Sequence, residues 1–358
     1  MTTPRPEVGR DASEVGVVLQ GLAEAACPAH ALPLRTRLLA LRTWLSADLE
    51  ELERDLATVL PREDRADPAV RAAHHLLARP GKRLRPLCVV LAARLGGRPL
   101  DGDVHGLAVA AELVHMATLL HDDVIDVGPE RRGAPAAWTV TSNAASILGG
   151  DYLLLEALRR VHAVGRPELM GPLLEAIEAM VAAEALQVAR RGRFEPDRAV
   201  YFEIVRGKTA ALFRWCLEAG GAAGHLTPSS RRALGEAGLD LGIAFQLVDD
   251  VLDLSGDAAT LGKQPLADLR EGKLTWPILL ACERDPELLG GLRRFAAGRG
   301  PDPEDLLGRV QRTGALEATR HLARAHAGDA RTRLQALPPG PARRALETVV
   351  EAATARVA

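Results

Sequence analysis

LLHDDVIDV, residues 119–127, and FQLVDDVLDL, residues 245–254, carry the same acidic pentad on apolar ground. The first reads Asp122-Asp123-Val-Ile-Asp126 and the second Asp249-Asp250-Val-Leu-Asp253. On a helix the spacing i, i+1, i+4 gathers all three acids of each set within a wedge of roughly 100°. Each set is therefore one claw. Leu119, Leu120, Val124, Ile125 and Val127 surround the first, and Leu247, Val248, Val251, Leu252 and Leu254 the second, so both helices read as mostly buried. An isolated carboxylate costs several kcal/mol to desolvate and is rarely buried without a cation. All-oxygen ligands with no cysteine nearby select Mg²⁺, with Mn²⁺ as the alternative, bound through a few carboxylates together with waters and phosphate oxygens. One such pentad would read as an acidic helix face; its repetition turns it into a site.

The composition around the claws is that of helices. Hydrophobic residues make up 47% of the 358 and aromatic residues only 3%, with strand formers thin, which predicts an all-α fold. A net charge of −2 gives no general pull toward nucleic acid or an anionic surface, so a polyanion must be held by local clusters. Cys27, Cys88, Cys216 and Cys282 are scattered without metal-ligand spacing and read as reduced thiols of a cytoplasmic protein. No signal-like run opens the chain, and no stretch reads as the roughly 18 apolar residues of a membrane span.

Residues 1–33, with four prolines and one short apolar stretch at Val15–Leu22, read as a poorly ordered extension. That stretch suggests a docking peptide for a partner. From Leu34 onward the pattern is helical, broken at 61–64, 79–86, 96–103, 127–135, 164–168, 193–197, 225–229 and about 290–303. About a dozen helices around a central cavity, in one domain spanning 34–358, are expected.

Basic residues gather at the element boundaries: Lys82, Arg83 and Arg85 in GKRLRP, Arg131 and Arg132 beyond the first claw, Lys208 in RGKTAALF, and Lys263 and Lys273 beyond the second. Arg forks and Lys point charges together make phosphate clamps. Metal claws and phosphate clamps make sense together if the substrate brings diphosphate. Two basic groups suggest two diphosphates, one bound through metal and one bound directly.

Taken together, GKRLRP, HDDVIDVGPERRG, RGKTAALF, AFQLVDDVLDLSGDAATLGK and DLREGKLTWP resemble the trans-prenyl diphosphate synthases of the polyprenyl synthetase family over most of the chain after about residue 70. The resemblance implies a single all-α domain of mostly antiparallel helices, usually homodimeric, that joins isopentenyl diphosphate to an allylic diphosphate. It implies that the six aspartates hold three Mg²⁺ against the allylic diphosphate, helped by Arg131, Lys208 and Lys263. Lys82, Arg85, His115 and Arg132 match the residues that receive isopentenyl diphosphate, and Lys273 a lysine at the closing side of the site. Thr209, Gln246 and the Lys208 carbonyl match groups facing the developing carbocation. His121 fits the pattern without a clear role. Pro80 and Trp276 depart from it, which puts only local loop shape in doubt.

Five residues below Asp122, about 7.5 Å by helical rise, stands Ala117. The descending face reads Thr118, Ala117, Val114, Ala111 and Ala110, all small, which predicts a product of twenty carbons or more unless Leu148, Tyr152 or Leu153 on a facing helix closes the tunnel. Two rivals remain: a class I terpene cyclase, which needs one diphosphate site rather than two, and a non-catalytic subunit, which would have lost some of the matched residues.

Overall fold

The computed structural model describes residues 32–60, 67–79, 81–131, 134–254 and 266–355. The expected extension therefore lies almost wholly outside the described residues, as do Arg132 and Lys263. What is described is helical, with one two-residue hairpin pairing Glu130–Arg131 with Ala134–Pro135.

The N-terminal half comprises α1 (Leu32–Trp44), α2 (Ser46–Thr58), α3 (Pro68–Leu77), α4 (Leu84–Leu95), α5 (Gly102–Ile125), the short α6 (Ala137–Val140), α7 (Asn143–Ala163) and α8 (Pro167–Arg190). Then follow α9 (Arg198–Val205), a π-helical turn (Arg206–Ala210), α10 (Ala211–Ala223) and α11 (Pro228–Leu254). The C-terminal part holds α12 (Ala267–Arg270), α13 (Trp276–Arg284), α14 (Leu288–Ala296), α15 (Pro303–Arg312), α16 (Ala315–Gln335) and α17 (Pro341–Ala355). The dozen expected helices are exceeded because Pro and Gly punctuation leaves short pieces such as α6 and α12 between the long ones.

The claws sit on the two central helices. α5 packs along α7 and against α4, while α11 packs between α10 and α16. Asp101 starts α5 by accepting from the Val104 amide at 3.0 Å, a cap that satisfies one of the orphan donors of the first turn. The helix stops at Asp126 because Val127 takes a left-handed φ of 54° and Pro129 follows. By length and apolarity α5 would pass for a membrane span, but it is mostly buried in the core, as the central helix of a bundle is.

Candidate active site

Two adjoining cavities meet at the claws. The first, about 1220 Å³, is lined by Lys82, Arg85, His115, Asp122 and Asp249, with Val114, Ala117 and Thr118 along one wall. The second, about 1100 Å³, is lined by Asp126, Asp250, Asp268 and Lys273. Asp122, Arg131, Lys208, Thr209 and Gln246 line both.

The six aspartates do not act alike. Asp122 and Asp249 line the first cavity, and Asp122, Asp126 and Asp250 the second. Asp123 is buried and takes the Arg131 guanidinium at 2.7 Å. Asp250 is also buried and accepts from the Tyr201 hydroxyl at 2.7 Å, the Gln246 amide at 2.9 Å and the Trp276 backbone N–H at 3.0 Å. Asp253 stands in the last turn of α11, where its carbonyl accepts from the Leu266 amide at 3.2 Å. Neighbours on a helix differ by about 100° in direction, so Asp123 turns into the protein when Asp122 faces the cavities, and Asp249 and Asp250 border different cavities.

Burial separates their protonation. It pushes Asp122 up to about 6, against the pull of Lys208 and with the help of Glu184 and Asp126. It also pushes Asp250 up to about 7, although the bonds from Gln246 and Tyr201 oppose it. Asp126 goes the other way: burial disfavours its charge, but Lys273, Lys208 and Arg191 hold it below the usual carboxylate range.

Lys208 stands in the π-helical turn, an arrangement that recurs at functional sites. Gly207 lets α8 close on that turn, since a Cβ there would lie 2.6 Å from the Ala179 carbonyl oxygen. Gly242 does the same for α11, where a Cβ would meet the Ala210 Cα at 2.4 Å. The Lys208 ammonium thereby reaches Glu184, Gln187 at 2.8 Å and Asp122 at 3.7 Å. Next to it the Thr209 hydroxyl donates to Gln246 Oε1 at 2.8 Å, and Gln246 passes the chain on to Asp250.

Across the first cavity, Lys82 lies 6.0 Å above the Phe245 ring and Arg85 4.6 Å above Phe213. Burial lowers the Arg85 pKa, and its Nε lacks a hydrogen-bond partner. A buried guanidinium left short of partners calls for an anion. On the far side Lys273 pairs with Asp126 at 2.7 Å and Glu271 at 2.6 Å. His121 lies at the mouth, its Nε2 3.1 Å from the Ile147 carbonyl and 3.3 Å from Asp151.

Several residues of this network are not among those singled out in the sequence. Glu184, Gln187 and Arg191 come from the end of α8, Tyr201 from α9, and Asp268 from α12. Arg191 binds the Asp126 carboxylate and the Ile125 carbonyl. The available signal was the polar pair Glu184 and Gln187, one turn apart inside the apolar run AAEALQVA. Two expectations change. Trp276 is part of the site after all, because its N–H holds Asp250 and its ring lies 5.1 Å from Tyr201. Leu148, Tyr152 and Leu153 do not close the apolar end; Leu154 from α7 and Ile177, Met180 and Val181 from α8 line it instead.

The oxygen-rich acids fit a hard divalent cation. Besides the raised Asp122, the buried Oε1 of Glu184 beside it has no hydrogen-bond partner. Among the described residues, the group of ligand atoms already close enough to share a cation is elsewhere: Asp240, His326 and Asp329. Its buried member Asp240 is balanced by Arg333 at 2.8 Å.

A family profile for polyprenyl synthetases matches residues 68–306, two-thirds of the chain. The chain belongs to the polyprenyl synthetase family. It is 35% identical over 277 residues to the octaprenyl diphosphate synthase of Escherichia coli K12, covering 76% of this chain and 85% of that one. It is 35% identical over 313 residues to heptaprenyl diphosphate synthase component 2 of Geobacillus stearothermophilus, covering 86% and 95%. Among solved structures, the polyprenyl synthase of Caulobacter crescentus CB15, complexed with calcium and isoprenyl diphosphate, superposes with a TM-score of 0.83 at 37% identity over 89% of this chain and 97% of that one. This family member has the isoprenoid synthase fold and is a prenyltransferase.

Proposed function

We propose that this enzyme elongates an allylic diphosphate with isopentenyl diphosphate to an all-trans chain of twenty carbons or more. The observation that carries the reading is one cavity with acids and Lys208 at one side, the cations Lys82 and Arg85 at the other, and a wall of small residues leading away from Asp122. Asp122, Asp126, Asp249 and Asp250 line the cavities and, with Asp123 and Asp253 of the same claws, would hold the Mg²⁺ ions, three in the family's pattern. When bound, these ions neutralise the diphosphate as it leaves.

The chain's own groups do the rest. Arg131, Lys208 and Lys263 bind the allylic diphosphate, and Lys273 helps close that side. Lys82, Arg85, His115 and Arg132 bind isopentenyl diphosphate. As the allylic C–O bond breaks, its electron pair leaves with the diphosphate. Thr209 donates its hydroxyl hydrogen bond to Gln246 Oε1, so the lone pairs of its own oxygen are left to face the carbocation. Such preorganised dipoles contribute several kcal/mol. The isopentenyl double bond then attacks, and the proton lost afterwards goes to the released diphosphate. The apolar wall excludes the water that would quench the cation.

The enzyme works as a homodimer in the cytoplasm. Leu148 and Leu155 on α7, seven residues apart, and Leu174 on α8 are exposed and lie outside both cavities, an apolar face that a second copy would cover. The described cysteines are buried free thiols, as a reducing compartment requires. Residues 34–358 act as one domain, with residues 1–33 an extension that docks a partner.

Purified protein incubated alone with Mg²⁺, farnesyl diphosphate and isopentenyl diphosphate tests the reading. Consumption of isopentenyl diphosphate and a longer prenyl diphosphate by mass spectrometry are expected. A cyclised hydrocarbon or alcohol would favour the cyclase, and activity only after addition of a second chain the subunit reading that the likeness to a component 2 keeps in view.

A further inference from the structure

Between the two cations of GKRLRP that face the cavity stands a third, Arg83, which borders the same cavity but whose guanidinium is buried against carboxylates. Arg83 is 2% exposed and takes a left-handed φ of 43°, which a non-glycine residue adopts only under constraint. Its carbonyl makes the first bond of α4, from the Leu87 amide at 3.1 Å. Its guanidinium forks onto both oxygens of Glu53 in α2, at 2.7 and 3.1 Å, and reaches Glu112 in α5 at 2.6 Å. Glu112 is itself 2% exposed and lies one turn from His115 and ten residues before Asp122 on the same helix. Burial disfavours the charge on Arg83, and the two facing carboxylates more than reverse that, so its pKa is raised.

We propose that Arg83, clamped by Glu112 and Glu53, is a positioning residue that sets the spacing between the isopentenyl diphosphate cations Lys82 and Arg85 and the metal claw on α5. The inference rests on the function proposed above. Arg83 commits its guanidinium to the two glutamates and acts by the backbone turn that sends its two neighbours into the cavity. The Glu112 contact ties that turn to the helix bearing Asp122, so the two diphosphate sites share one rigid link. A bimolecular condensation depends on that spacing, since a misplacement of about 1 Å costs on the order of 100-fold. Glu53 completes the clamp from the outer side, where its side chain is 25% exposed.

The test measures steady-state constants for both substrates in Glu112→Gln and Glu53→Gln, with thermal unfolding alongside. Both variants are expected to raise the KM for isopentenyl diphosphate about 10-fold and lower kcat, with the allylic KM within twofold of wild type. Glu53→Gln keeps the test open should the more buried Glu112→Gln fail to fold, and Glu112→Asp is expected to recover part of the loss. Equal shifts in both KM values, or no shift in either, would overturn the positioning role while leaving the activity standing. A wild-type enzyme that does not consume isopentenyl diphosphate would instead overturn the functional reading, and this inference with it.

Discussion

Replacing Asp122 by Asn is expected to stabilise the metal-free protein while destroying its activity. Burial raises the Asp122 carboxyl from 3.8 to about 6 even with Lys208 3.7 Å away, so its ionised form is strained in the folded state. At about 1.4 kcal/mol per pH unit the strain is about 3 kcal/mol above pH 6. The side chain keeps 18% of its exposure, and screening trims the figure to about 2 kcal/mol. The sign follows from the raised folded value: protonated Asp122 carries no strain below the unfolded 3.8, and the cost grows as pH rises from there through about 6. With roughly 0.6 kcal/mol per degree for about 300 ordered residues, the variant should melt about 3 °C higher at pH 8, about half as much higher at pH 5, and about half a degree higher at pH 4.

Thermal unfolding of both proteins in chelator at those three pH values is the assay, followed by Mg²⁺ at pH 8. A cation present at 100 times its dissociation constant adds about 2.7 kcal/mol to whatever binds it. Mg²⁺ should therefore raise the wild type above the variant and reverse their order. A variant less stable than wild type at pH 8 without metal would refute the reasoning, as would a gap independent of pH. The first result would mean that the Lys208 contact outweighs burial.

Tyr201→Phe removes the 2.7 Å bond to Asp250 and, because outer partners of a site typically matter 10- to 100-fold, should lower kcat about that much with helical content intact; activity within twofold of wild type would exclude the role. Ala117→Phe fills the wall about 7.5 Å below Asp122 and should give a shorter main product by mass spectrometry, whereas an unchanged product would mean that this wall does not face the chain. The double change Leu155→Glu and Leu174→Glu, on the exposed face of α7 and α8 and outside both cavities, should yield a folded monomer by light scattering; a retained dimer would place the interface elsewhere.

The helices and the cavity were legible because they depend on periodicity, and periodicity is a property of the chain alone. What each acid does is not. The i, i+1, i+4 wedge shows that Asp122, Asp123 and Asp126 share a side of α5, yet neighbours about 100° apart cannot all face one cavity. Which of them turns inward depends on where the partners arrive. Arg131 comes from a hairpin eight residues on, while Tyr201 and the Trp276 amide reach Asp250 from 49 and 26 residues away. The same limit hid Glu184 and Gln187, which look like ordinary polar positions until the π-helical turn delivers Lys208 between them. It also misjudged Trp276, whose side chain is the departure from the family pattern but whose contribution to Asp250 is a backbone N–H that any residue except proline supplies. The twin claws thus divide into Asp122, Asp126, Asp249 and Asp250, which line the cavities, and Asp123, which is buried against Arg131. A substitution within one motif should therefore have two distinct signatures. Loss of Asp122 relieves strain and removes a metal ligand, while loss of Asp123 or Asp126 leaves Arg131, or Lys273 and Arg191, short of a partner and destabilises the protein in every buffer.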